Sequence, residues 1–380
     1  MRARIYKSGL LVASLLLAGT GNVLADFSVF DTAINYRVTK TKNDYRLYQR
    51  TINLRFKIPD ALSVTPLAPE HEEGMPIIVY SHGGAGGVVN GHSSKGQAWS
   101  DHFAANGFIT INIGHAGAQN TDEVLTICNE VKLSNADNSV TFSDGPPDDQ
   151  DYITRALNGE TLSKSGLCAY LKPVTYLRHR DINALLDKLD SGFFDNLVPD
   201  FNWNGKIGYV GHSAGSQSVA YFAGAVATLV EADNQYRVKS SKKFSGYIMV
   251  SPKGASNEPV DGFVDGAWET INQPTLVISG DEDIPSGHDN ADIRRQAFDT
   301  MIGPDQHELW FTSACSTHRA LNLQIDPASI CETDQEMVIQ NATLAFFNQF
   351  VAQDNSVFTD AELFELPGNN TYTDAVLESR

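Results

Sequence analysis

Gly211-His212-Ser213-Ala214-Gly215 constrains this chain more than any other stretch. The pentapeptide follows a short β-prone run, residues 206–210, and precedes residues 216–230, whose small and apolar side chains read as a buried helix. Strand, sharp turn and helix are the context in which a G-x-S-x-G serine becomes a nucleophile elbow. The glycines answer crowding: a serine at the tip of such a turn sits in a strained backbone conformation, and only small neighbours let strand and helix approach. The alternative is an ordinary strand-to-helix turn, which the apolar flanks on both sides disfavour.

Hydrophobic period extends this unit in both directions. Residues 51–59 alternate apolar with polar and end at Pro59, as expected of a half-exposed edge strand. Residues 76–80 and 108–113 are continuous apolar runs of the buried type, separated by a helical pattern at 98–105 that stops at Asn106-Gly107. A helix over 176–190 places Ile182, Leu185, Leu186 and Leu189 on one face. Beyond the elbow, strands are expected at 247–250, 275–279 and 308–311, with a helix at 291–301. A last helix at 334–353 would turn Met337, Leu344, Phe347 and Val351 to one side. Repeated β-α alternation predicts an α/β fold, a mostly parallel sheet with helices on both faces and ligands at the C-terminal ends of its strands. Residues 115–176 break the rhythm: long, polar and rich in Asp, Asn, Ser and Gly, they read as an insertion that serves as lid or pocket wall, or as a plain surface excursion.

Serine acyl transfer needs a base, a group that orients the base, and donors for the oxyanion, because a hydroxyl is a poor nucleophile at its own pKa. Ser213 is the expected nucleophile. The run 276–279 enters an acidic loop, Gly280-Asp281-Glu282-Asp283, in which Asp283 is preferred over Asp281 as the acid and Glu282 ranks third. His318, just past the strand at 308–311, is the expected base; His307 precedes that strand and belongs at the opposite edge of the sheet. The glycine-rich Tyr80–Gly87 loop lets a backbone N–H approach an oxyanion, with Gly84 the first choice, paired with the N–H of Ala214. That loop lacks the lysine and the serine or threonine of a phosphate-binding P-loop. His82 and His212 read as braces for these loops. His288, Asp289 and Asp292 leave a calcium or zinc site as an alternative to a plain acidic loop, but the expected chemistry needs neither metal nor cofactor.

Composition sets the surroundings. Arg2, Arg4 and Lys7, the apolar stretch 10–18 and Val23-Leu24-Ala25 form a secretory signal peptide over residues 1–25, leaving one domain over 26–380 that is expected to be secreted or periplasmic. The stretch is too short to span a bilayer with ease, and no second one follows. Four cysteines in an exported chain suggest two disulfides, with proximity favouring Cys128 with Cys168 and Cys315 with Cys331; the latter would brace the loop carrying His318. A formal net charge of -18 over 380 residues argues against nucleic acid or an anionic membrane as partner.

Residues 76–87, the Arg180-Asp181 helix, Gly211–Gly215, Gly280–Asp283 and His318 together resemble the serine α/β-hydrolases of the platelet-activating-factor acetylhydrolase-like and dienelactone hydrolase-like group, with bacterial polyester hydrolases as more distant relatives. Dienelactone hydrolases proper carry a cysteine where this chain has Ser213. The resemblance implies an α/β-hydrolase fold and an exported carboxylic-ester hydrolase, with Ser213, Asp283 and His318 as triad and Gly84 and Ala214 as oxyanion donors. The substrate would be a small-molecule, lipid or polyester ester. A peptidase or amidase on the same fold, or a binding protein that has lost activity, are the alternatives.

Overall fold

The computed structural model describes residues 27–39, 47–60, 74–83, 88–89, 92–93, 96–115, 174–225, 227–228, 235–236, 244–254, 263, 266–285, 288–324, 329–353, 358, 363–368 and 370–380. The expected signal peptide, the body of the 115–176 insertion with Cys128 and Cys168, and Gly84 lie outside them.

Nine strands form one sheet: β1 (Phe27–Thr39), β2 (Leu47–Pro59), β3 (Met75–Ser81), β4 (Ile109–Gly114), β5 (Trp203–His212), β6 (Gly246–Val250), β7 (Thr275–Gly280), β8 (Gln306–Phe311) and β9 (Ala375–Ser379). Their spatial order is β1-β2-β4-β3-β5-β6-β7-β8-β9. From β4 to β8 every neighbouring pair is parallel, while β1, β2 and β9 join antiparallel. This order, with the reversal of β3 and β4 and a serine turn after β5, is the α/β-hydrolase fold.

Alternation along the central strands feeds two cores, one on each face of the sheet. On one face Ile77, Val79, Tyr209, Met249 and Val277 pack with Ile182, Leu185, Leu186 and Leu189 of α2 (Val174–Asp190) and Val219 of α3 (Ala214–Ala223). On the other, Ile78, Tyr80, Val210, Ile248 and Ile278 pack with Trp99 and Phe103 of α1 (Gln97–Ala105) and Ile339, Ala342 and Phe346 of α5 (Ile330–Phe347).

Four expectations need correction. The strand at 51–59 is not an edge: β1 pairs along its whole length on one side and β4 on the other, so Ile52, Leu54 and Phe56 are buried. The elbow helix ends at Ala223 instead of residue 230, because Gly224 takes a left-handed conformation (φ 118°) that caps it. The helix expected at 291–301 is a 3-10 turn, Asp292–Arg295, followed by α4 (Gln296–Thr300), and the tighter turn carries the Arg294 side chain into the interior. The last helix starts at Ile330, capped by Ser329, whose hydroxyl accepts from the Glu332 N–H at 3.3 Å, and turns into a π-helical segment at Asn348–Ala352. Its inward face is Ile339, Ala342, Phe346, Phe347 and Val351, with Met337 and Leu344 only half-buried.

His307 is the second residue of β8, towards the end of the strand opposite His318. Its Nδ1 lies 2.8 Å from Ser379 Oγ of β9, its ring packs on Phe358, and burial pushes its pKa down to about 4. Neutral His307 therefore contributes stability that is fully present above pH 6.5 and is lost as pH falls towards 4, at about 1.4 kcal/mol per unit. The adjacent Glu308 has the opposite sign. Burial raises its pKa to about 7 against the pull of Arg295 at 2.5 Å, so its share is present below pH 4.5 and lost as pH rises through 7. Measuring the stability of His307→Gln against the parent by denaturant titration isolates the first slope. The difference should move in favour of the variant as pH drops from 6.5 to 4, and a flat difference would show that His307 does not titrate with folding.

Candidate active site

Ser213 sits between the last residue of β5 and the first of α3 with φ 54° and ψ -116°, a conformation that costs a side-chain-bearing residue about 1 to 3 kcal/mol. Backbone bonds on both sides hold it there: its N–H donates to Val250 O at 2.9 Å, and its carbonyl accepts from Ser216 N at 2.9 Å and Ser216 Oγ at 2.5 Å. The flanking glycines are required by contact. A Cβ on Gly215 would lie 2.0 Å from the Ser81 carbonyl oxygen, and one on Gly211 would lie 2.4 Å from the Gly215 backbone. Neither neighbour is a flexible side chain, so Gly215→Ala should cost at least about 3 kcal/mol in denaturant unfolding. A change below 1 kcal/mol would mean that β3 and α3 are not wedged together.

The acid and base expected from sequence meet at the C-terminal ends of β7 and β8. Past β7 the chain turns, Asp283 N–H donating to Gly280 O at 3.0 Å, and brings the Asp283 carboxylate to complete burial. Asp283 Oδ1 lies 2.8 Å from His318 Nδ1 and accepts from Arg294 Nη2 at 2.9 Å, while Oδ2 accepts from Ser279 Oγ at 2.8 Å. With Nδ1 donating to the carboxylate, His318 Nε2 keeps its lone pair. The alternative acid is used elsewhere: Asp281 is exposed, and its Oδ1 takes the Trp310 indole N–H at 2.8 Å. Glu282 is exposed.

His318 is placed beside the elbow by His212. The two rings are 4.3 Å apart, and His212 Nε2 bonds the His318 carbonyl at 3.1 Å. The loop carrying His318 is clamped from below as well. Ser316 Oγ donates to Ser313 O and accepts from Glu282 N, and the Cys315–Cys331 disulfide ties the loop to the first turn of α5. The sequence separation of 16 makes this bridge worth about 3 kcal/mol by loop closure. Reduction, or Cys331→Ser, should lower the melting temperature and turnover together; an unchanged turnover would free His318 from any dependence on the bridge.

The loop after β3, in which the sequence leads one to expect an oxyanion donor, is described as far as Gly83. A Cβ there would lie 3.3 Å from Ser213 Cβ and 3.0 Å from His212 Nδ1, so the chain after β3 passes against the serine and a side chain would fit only if these neighbours gave by a few tenths of an ångström. Ala214 opens α3, and the first N–H groups of a helix have no partner within it. His82 is a brace, its Nδ1 2.7 Å from Gly83 O. Sequence reasoning missed Arg294 and Ser279, which hold Asp283, and no local pattern marks them. Among the described residues no group of three or more His, Cys, Asp or Glu side chains is arranged to hold a metal ion, and no helix is long and apolar enough to cross a membrane.

No protein-family model matches this sequence, and no curated protein matches it. Among solved structures the fold is similar to an acylaminoacyl peptidase from Pyrococcus horikoshii, with 12% identity, a TM-score of 0.46, and coverage of 88% of this chain and 44% of the peptidase. This chain thus spans less than half the peptidase's length. It is also similar to a ferulic acid esterase from Streptomyces cinnamoneus, with 13% identity, a TM-score of 0.46, and coverage of 92% and 96%.

Proposed function

We propose that this chain is an exported serine carboxylic-ester hydrolase in which Ser213 is nucleophile, His318 base and Asp283 acid. The observation that carries the reading is the 2.8 Å bond between buried Asp283 and His318, whose ring lies 4.3 Å from that of His212, the residue that precedes the strained Ser213. Ser213 Oγ attacks the ester carbonyl and His318 Nε2 takes its proton. The tetrahedral oxyanion is met by the Ala214 N–H and by an N–H of the glycine loop, for which Gly84 is the choice. Collapse expels the alcohol, protonated by His318, and water activated by the same imidazole then releases the acid. Asp283 fixes the tautomer and stabilises the imidazolium that forms at each step. No metal or cofactor is needed for this sequence of steps. The substrate class is an ester of a small acyl group, with lipid and polyester esters in the same class, and neither nucleic acid nor an integral membrane segment enters the reading.

The test is hydrolysis of chromogenic esters from acetyl to long-chain acyl, alongside matched amides, with an organophosphonate used to locate the reactive residue by mass. Ester turnover with labelling at Ser213 is expected. Faster turnover of the amides would move the assignment to a peptidase or amidase, and failure to label Ser213 would reduce the chain to a binding protein.

A further inference from the structure

Beside His82 and Gly83, just past β3, lies a second Ser-His-Asp arrangement that the proposed mechanism does not use. His115, just past β4, places Nε2 2.8 Å from Ser81 Oγ and Nδ1 2.8 Å from Asp181 Oδ2. Tyr36 of β1 donates to the other Asp181 oxygen at 2.6 Å. Arg178, one turn before Asp181 on α2, donates to Ser81 Oγ at 3.1 Å, to the His82 carbonyl, and to the Gly83 carbonyl at 2.8 Å. Ser81, His115, Arg178 and Asp181 are all buried, with relative exposures of 0%, 1%, 1% and 0%. An ester cannot reach Ser81, so this is not a second catalytic centre.

With His115 as the neutral tautomer that carries its proton on Nδ1, facing the Asp181 carboxylate, the donors and acceptors run in one direction. Arg178 N–H donates to Ser81 Oγ, the Ser81 hydroxyl to His115 Nε2, and His115 Nδ1–H to the Asp181 carboxylate. A buried cation and a buried anion are thereby joined by neutral links, an arrangement in which each bond polarises the next. The cationic end closes on two successive carbonyls of the loop that runs against Ser213. The Gly83 carbonyl takes a further donor, because His82 Nε2 accepts the His115 N–H at 3.4 Å and so leaves His82 Nδ1–H for Gly83 O. A trans peptide is planar, with its N–H opposed to its C=O. Drawing the His82 oxygen towards Arg178 therefore turns the Gly83 N–H the other way, and the Gly83 oxygen is fixed by the same guanidinium.

We propose that the Asp181–His115–Ser81–Arg178 chain is a positioning device that sets the His82–Gly83 peptide plane and the Gly83 carbonyl for oxyanion stabilisation, and that Arg178 is its effector residue. The inference rests on the esterase reading above. Rotating a donor by a fraction of an ångström leaves ground-state binding alone and weakens the transition state, so the signature is a loss in kcat with KM unchanged.

The experiment compares the parent with Ser81→Ala, His115→Gln and Arg178→Lys. Ester turnover is measured together with inhibition by a matched trifluoromethyl ketone, which forms an oxyanion on the serine, and by the corresponding alcohol, which fills the same pocket without forming one. Active sites are counted by organophosphonate titration so that only folded protein is compared. Ser81→Ala removes a single oxygen and keeps the test available if the other two variants do not fold. In the folded variants kcat should fall about 10- to 100-fold, ketone affinity should fall by the same factor, and KM and alcohol affinity should stay within about twofold. Unchanged kcat, or equal loss of ketone and alcohol affinity, would overturn the inference and leave the chain a packing element. A parent that neither turns over esters nor labels at Ser213 is a different failure, that of the esterase reading itself.

Discussion

Ser213→Ala is expected to lower ester turnover by about 10⁴- to 10⁶-fold while leaving the melting temperature unchanged. Both halves follow from how the residue is held. Everything that fixes Ser213 in place is backbone: its N–H on Val250 O and its carbonyl under Ser216. Alanine keeps all of it and deletes only Oγ. A companion, Ser213→Gly, sharpens the argument. At φ 54° and ψ -116° any Cβ is strained, so glycine relieves a cost that serine and alanine share. The glycine variant should be inactive and at least as stable as the alanine variant, despite glycine's greater freedom in the unfolded chain. If the glycine variant were clearly less stable, the turn would not be storing strain, and the presentation of Ser213 would need another cause. Turnover by Ser213→Ala within tenfold of the parent would remove Ser213 from the mechanism.

How much of this was legible in the sequence depended on whether the signal was local. The central strands announced themselves as apolar runs, because strands buried on both faces need no alternation. The face of α2 was equally plain, since Ile182, Leu185, Leu186 and Leu189 follow the helical period and all are buried. The boundaries of α3 and α5 were less so. Gly224 reads as one more small residue in an alanine-rich run, and only its left-handed backbone reveals it as a stop. Ser329 and Glu332 bear the spacing of a helix N-cap but lie upstream of Met337, where the apolar period begins. β1 and β9 went unread. Each is an edge strand with one protected face, and β9 has only Leu377 buried, too little for a period-2 signal. Asp283 and His318 were approachable because their loops follow strands. Arg294, Ser279 and the Arg178–Asp181 chain were not, since a side chain that serves another across the fold leaves no trace in spacing.

Asp283→Asn is expected to cut kcat by about 10⁴-fold and to lower stability as well, a combination that Asp281→Asn should not show. The carboxylate has two cationic or potentially cationic neighbours on one oxygen, His318 Nδ1 at 2.8 Å and Arg294 Nη2 at 2.9 Å. An amide in its place offers an N–H to the imidazole as readily as an oxygen, favouring the tautomer whose Nε2 carries the proton and cannot accept one from serine. That is the kinetic half. The stability half comes from Arg294, which is buried, so burial pulls its pKa below the ordinary arginine value while Asp283 pulls it up. Removing the countercharge leaves a guanidinium held by the neutral carbonyls of Ser251, Pro252 and residue 283 and by a longer contact, 3.4 Å, to His318 Nδ1. Leaving a buried charge unpaired costs about 3 to 5 kcal/mol, and the surviving carbonyl bonds place this site at the lower end. Asp281, exposed and engaged with Trp310, has no such dependants, so its asparagine variant should keep turnover within a few-fold and its melting temperature nearly unchanged. Measured side by side, turnover and melting temperature decide between the two carboxylates: a large kinetic loss at 281 with normal turnover at 283 would reverse the assignment, because the acid that orients His318 cannot be neutralised without consequence.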